Sequence, residues 1–111
     1  CGAGCEYVAI TPEGDIYPCH QFVGNEDYKL GSLYDGTFDK ELSGRFAGLN
    51  IYTREECRDC WARCYCSGGC SASNLLVNGD IKKPHRVGCE LERKRLECAI
   101  ALRAIAAGMA E

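Results

Sequence analysis

Ten of the 111 residues are cysteine, and that density restricts this chain more than any other feature. About one thiol in every eleven residues implies disulfides, zinc or iron–sulfur centres. With so little chain and only 9% aromatic residues, a purely hydrophobic core would be thin. Bound metal is therefore expected to supply much of the folding free energy. The length suits one domain spanning residues 1–111.

The remaining composition narrows the partners. A net charge of −3 argues against nucleic acid, and Lys and Arg form no basic stripe. The one cluster, Arg93-Lys94-Arg95, reads as the solvated face of a helix. No apolar run is long enough to cross a membrane, and charged segments with many thiols suit the reducing cytoplasm. The chain opens on Cys1 without a preceding Met, which reads as a fragment of a longer protein.

The sequence pattern predicts a small α+β fold with two short β-hairpins, short helices and one long C-terminal helix around metal. Residues 7–10 and 15–17 flank Thr11-Pro12-Glu13-Gly14, whose Pro and Gly suit a type I turn. That hairpin would gather Cys1, Cys5 and Cys19. Phe38, Leu42, Phe46 and Leu49 recur at helical spacing, with Thr37 as N-cap. Thr53-x-x-Glu56 has the form of a capping box, opening a helical turn that carries Cys57 and Cys60. Residues 75–77 and 80–81 flank Asn78-Gly79, the favoured turn of a two-residue hairpin. A long helix is expected from about residue 90 to 108, packing on the cluster core or on a neighbouring domain.

Five cysteines fall between Cys57 and Cys70: Cys57, Cys60, Cys64, Cys66 and Cys70. Disulfides rank third here, because so many sulfurs within reach of one another leave no unique pairing. Zinc ranks second. Its structural sites use two separated Cys-x-x-Cys or Cys-x-x-His knuckles, whereas this block has the single pair Cys57 and Cys60, with His20 and His85 out of step. Iron–sulfur clusters rank first: cubanes need several thiolates from loops that wrap around them, and Gly68-Gly69 before Cys70 permit a sharp turn.

The spacing Cys57-x2-Cys60-x5-Cys66-x3-Cys70 with a later Cys89, preceded by Cys1-x12-Gly14-x4-Cys19, resembles the seven-cysteine signature of SPASM domains. These are C-terminal extensions of radical SAM enzymes that modify peptides and proteins. The resemblance covers residues 1–89. Cys1-Gly2-Ala3-Gly4-Cys5 and Tyr17-Pro18-Cys19-His20-Gln21-Phe22 look most like the maturases of Cys-rich SCIFF peptides, which install thioether cross-links.

The resemblance implies two auxiliary [4Fe–4S] clusters with interleaved ligands. Cys1, Cys19 and Cys70 would hold the first, with Cys5 as a fourth ligand or with that position open to a substrate thiolate. Cys57, Cys60, Cys66 and Cys89 would hold the second. It further implies a Cys-containing precursor peptide as substrate and a radical SAM domain of the same parent chain as partner. S-adenosylmethionine would bind only in that missing domain, since position 8 is Val8 and position 73 is Ser73 where a Cys-x3-Cys-x2-Cys loop would need its third cysteine. No catalytic residue is assigned within the fragment. The alternatives are a zinc-stabilised interaction module and a stand-alone ferredoxin-like carrier. Cys64 and Cys98 read as small buried hydrophobes, Trp61 as packing over a cluster, Tyr7, Tyr17 and Tyr65 as packing residues, and His20 and His85 as surface histidines.

Overall fold

A computed structural model describes residues 1–109. The chain divides into two compact units, Cys1–Leu49 and Asn50–Glu111.

The first unit is built on a four-stranded antiparallel meander in the order β1-β2-β3-β4. The strands are β1 (Ala9–Ile10), β2 (Asp15–Tyr17), β3 (Gly31–Ser32) and β4 (Thr37–Phe38). The expected first hairpin forms, with Ala9 opposite Tyr17 and Ile10 opposite Ile16. Its turn closes through the Gly14 amide donating to the Thr11 carbonyl at 2.9 Å. Two 3-10 turns, His20–Phe22 and Glu26–Tyr28, link β2 to β3, and helix α1 (Lys40–Ala47) follows β4.

Thr37 does not cap that helix. It lies in β4, with its amide and hydroxyl both donating to the Asp35 carboxylate. Asp39 caps instead, its carboxylate accepting from the Leu42 amide at 2.9 Å. The apolar stripe is accordingly shorter than the spacing implies: Leu42 and Phe46 are buried, whereas Phe38 is exposed. Phe46 meets Phe22 edge-on with centroids 5.4 Å apart, and Tyr28 lies 5.1 Å from Phe22. These rings, with Ile16, Tyr17, Leu30 and Leu42, form the core of this unit.

The second unit is helical, with α2 (Glu55–Arg58), α3 (Arg63–Cys66), α4 (Ser71–Asn78) and α5 (Arg86–Ala106). The hairpin expected over residues 75–81 is instead the end of α4. Gly79 takes the left-handed conformation, φ 71°, as its C-terminal cap. Asn-Gly serves both outcomes, because a type I′ turn and a helix C-cap each need a residue at positive φ. The N-cap of α2 lies one residue after the predicted Thr53: Arg54 holds that position without a side-chain cap bond. The Thr53 hydroxyl is engaged with Asn50.

Helix α5 begins at Arg86 rather than near residue 90, which places Cys89 in its first turn. Of its apolar side chains, Leu96 is buried while Val87, Leu91, Ile100, Leu102 and Ile105 stand exposed. The buried apolar side chains of this unit are Cys57, Ala62, Ile81 and Leu96, accompanied by the polar Arg54, Ser71 and Asn74. No described helix is long and apolar enough to cross a membrane. The α+β class expected from sequence is thus the one observed, with the sheet in the first unit and the long helix in the second.

Candidate metal centre

In the second unit, four elements converge on a cavity of about 310 Å³. Cys57 comes from α2 and Cys60 from the turn after it, where the Cys60 amide donates to the Cys57 carbonyl at 3.1 Å. Cys66 ends α3, and Cys89 enters from α5. All four line the cavity, and Cys70, at the N-cap of α4, lines it as well. The loop between Cys66 and Cys70 turns through three consecutive left-handed residues, Ser67 (φ 61°), Gly68 (φ 97°) and Gly69 (φ 78°). Two glycines make that path accessible, because an L side chain at positive φ costs about 1–2 kcal/mol.

Electrostatics tie the thiols together. Burial pushes the Cys57 thiol up, Arg54 opposes it, and Cys89, Cys66 and Cys60 add to the rise. Burial likewise raises Cys89, with Cys66 and Cys60 reinforcing the shift and Arg93 opposing it. Thiolates crowded this closely repel one another, so a cationic group among them would be needed to hold them deprotonated together. None of the ten cysteines forms a disulfide. Among the described residues, no three His, Cys, Asp or Glu side chains are arranged around a single metal-ion position.

A polar frame holds the cavity wall. Arg54 is only 3% exposed. Its Nη1 donates to the carbonyls of Ile81 at 2.8 Å and Lys82 at 2.6 Å, and its Nη2 to the Ser71 hydroxyl at 3.3 Å. Asn74, 1% exposed, accepts from the His85 amide at 2.9 Å and so fixes the entry into α5, four residues before Cys89.

In the first unit, residues 1–7 fold as a loop whose Gly4 amide donates to the Pro18 carbonyl at 3.0 Å. The loop that carries Cys1 and Cys5 is thereby tied to the end of β2, next to Cys19. The Ser43 hydroxyl of α1 donates to the Gly4 carbonyl at 2.6 Å. Cys1 and Cys5 are exposed and Cys19 is half-buried. Cys1, Cys5 and Cys19 belong to this unit, Cys70 to the other.

Several side chains sit differently from their sequence reading. Cys64 and Cys98 are exposed thiols, not buried ones. Trp61 is 50% exposed, and Tyr7 and Tyr65 are exposed too, whereas Tyr17 is buried as expected. Each exposed case sits on a short loop, a one-turn helix or the uncovered side of α5, where aromatic or thiol character says nothing about which face is covered. His20 is at the surface, but His85 is half-buried and lines the cavity. Arg93 also lines it, although its basic neighbours suggest a solvated face. Residues four apart on a helix share a face, so a helix starting at Arg86 already pairs Arg93 with Cys89. Arg54 and Asn74 carry no comparable signal.

Comparison with known proteins identifies the family. The sequence profile of SPASM, an iron–sulfur cluster-binding domain, matches residues 1–61, more than half of the chain. An uncharacterized protein of Archaeoglobus fulgidus is 32% identical over 98 residues, covering 85% of this chain and 23% of the relative. The PqqA peptide cyclase of Xanthomonas axonopodis pv. citri is 31% identical over 84 residues, covering 71% of this chain and 22% of that protein. The chain thus spans less than a quarter of the length of these curated relatives. On its sequence profile, reinforced by cysteines gathered from four elements, the chain belongs to the SPASM family of iron–sulfur cluster-binding domains.

Proposed function

We propose that this chain carries two [4Fe–4S] clusters and serves as the auxiliary-cluster domain of a radical SAM enzyme that modifies a Cys-rich peptide. The observation that carries the reading is the convergence of Cys57, Cys60, Cys66 and Cys89 on one cavity of about 310 Å³, whose wall Cys70 shares. The donor chemistry fits such a group: thiols from separate loops, two raised by burial, beside a glycine turn that brings backbone close. These four cysteines would ligate the second cluster. Cys1, Cys19 and Cys70 would ligate the first, with Cys5 as a fourth ligand or the position left to a substrate thiolate. Bound clusters would supply one-electron chemistry and Lewis-acidic iron for a thiolate. The protein's part is to hold the thiolates apart, exclude water and set the surrounding charge.

A peptide substrate is supported by the relative whose name describes cyclisation of the PqqA peptide. Thioether cross-linking rests on the likeness of residues 1–5 and 17–22 to the SCIFF maturases. Binding of S-adenosylmethionine and the radical step belong to a further domain of the parent chain.

The test adds a Cys-containing peptide, anaerobically, to the reconstituted protein while Mössbauer and EPR spectra are recorded. Perturbation of one cluster by that peptide, and none by its Cys→Ser counterpart, is the expected result. Identical spectra with and without the Cys peptide would refute thiolate ligation.

A further inference from the structure

Arg54 is a buried cation whose charge the protein leaves uncompensated. It is 3% exposed, and no carboxylate pairs with it among the described residues. Its terminal nitrogens are satisfied by two carbonyls and a hydroxyl, all neutral acceptors. Its Nε is sealed from solvent without an acceptor. A buried charge of this kind is costly unless an opposite charge accompanies it. An orphaned buried N–H adds its own penalty.

The position of Nε indicates what would compensate both. A Cβ built on Gly68 would lie 2.8 Å from it, and Gly68 is part of the cavity wall. Gly68 thus stands both against Nε and in the cavity wall, which Arg54 itself does not line. Arg54 is also the N-cap residue of α2, the helical turn that carries Cys57. Thiolates and cluster sulfides are anionic acceptors, and both net charge and hydrogen bonds to sulfur set a cluster's reduction potential.

We infer that Arg54 is the counter-charge of the cluster held by Cys57, Cys60, Cys66 and Cys89, raising its reduction potential through a buried guanidinium beside Gly68. The inference rests on the proposed cluster ligation. Arg54 is a positioning residue: it ligates no iron, but it stabilises the reduced, more negative state of the cluster. Loss of one buried charge beside the cluster is expected to lower the reduced-to-oxidised ratio at fixed poise about tenfold or more, which is about 59 mV or more for a one-electron couple.

The experiment is an anaerobic redox titration, followed by EPR, of the reconstituted wild-type, Arg54→Lys and Arg54→Gln proteins, with iron counted in each. Arg54→Gln is expected to shift one cluster to more negative potential and leave the other unchanged, while Arg54→Lys stays near wild type. A purely structural role would lower iron content without moving the potential of the clusters that remain. If Arg54→Gln does not load, circular dichroism of its metal-free form decides. A folded but unloadable protein, with Arg54→Lys loading normally, supports the counter-charge. Failure of both variants to load, or equal potentials in all three loaded proteins, overturns it. If the wild type itself takes up no iron and sulfide, the cluster reading falls and this inference with it.

Discussion

Alanine at Gly68 tests the cavity wall because two separable costs meet there. The first is conformational: at φ 97° an L side chain pays about 1–2 kcal/mol. The second is steric, since the new Cβ would sit 2.8 Å from Arg54 Nε and 2.9 Å from its Cδ. The arginine has no slack with which to yield, because its guanidinium is pinned to the Ile81 and Lys82 carbonyls. Losing even one such charged hydrogen bond costs about 1.5–3 kcal/mol, so Gly68→Ala should destabilise the second unit by about 3 kcal/mol or more. Gly79 supplies the control. It has a comparable positive φ of 71°, yet nothing lies within 4 Å of the point its Cβ would occupy, so Gly79→Ala should cost only the conformational share. Anaerobic guanidinium unfolding of the reconstituted proteins, followed by circular dichroism, measures both. Equal midpoint shifts for the two variants would refute the claim that Gly68 is required by the approach of Arg54.

Other consequences concern the ligands and their frame. Cys89→Ala should remove one cluster, taking iron from about eight to about four per chain, whereas Cys98→Ala on the exposed stretch of α5 should leave the count unchanged; equal loss in both would sink the ligand assignment. Asn74→Ala strips the His85 amide of its acceptor. It should cost about 1–3 kcal/mol and accelerate iron loss to a chelator, and an unchanged rate would argue against Asn74 fixing Cys89. The Cys57 and Cys89 thiols are raised on folding, so the metal-free fold favours their neutral forms. Its stability should be fully present below the unfolded thiol value of about 8.5 and decline as pH rises through the raised folded values. A metal-free protein that gains stability between neutral pH and about pH 10 would contradict those shifts.

What was legible in the sequence is what local chemistry decides. Thr11-Pro12-Glu13-Gly14 encodes its own turn, and that hairpin places Cys19 as expected. The dense cysteine block is also visible in the sequence, but its division between clusters is not: Cys70, grouped by the resemblance with Cys1 and Cys19, lines the same cavity as Cys57, Cys60, Cys66 and Cys89. Asn78-Gly79 failed as a hairpin signal because positive φ suits a helix end equally well, and only the run from Ser71 distinguishes the two. Thr37 lost the capping role to Asp39 because the strand pairing of Thr37 and Phe38 with β3 competes for those residues. Cys64, Cys98 and Trp61 could not be placed from residue type, since burial is set by tertiary contacts. Arg54 was hidden for a related reason: an arginine at a helix start reads as solvated, and its partners, the Ile81 and Lys82 carbonyls, lie 27 and 28 residues away.

The most direct test of the account is anaerobic reconstitution with iron and sulfide, followed by Mössbauer spectroscopy and quantitation of iron, sulfide and zinc. Two thiolate-held cubanes predict about eight irons and about eight sulfides per chain. Stoichiometric zinc with no bound sulfide under the same conditions would mean a structural zinc module and would contradict the cluster reading.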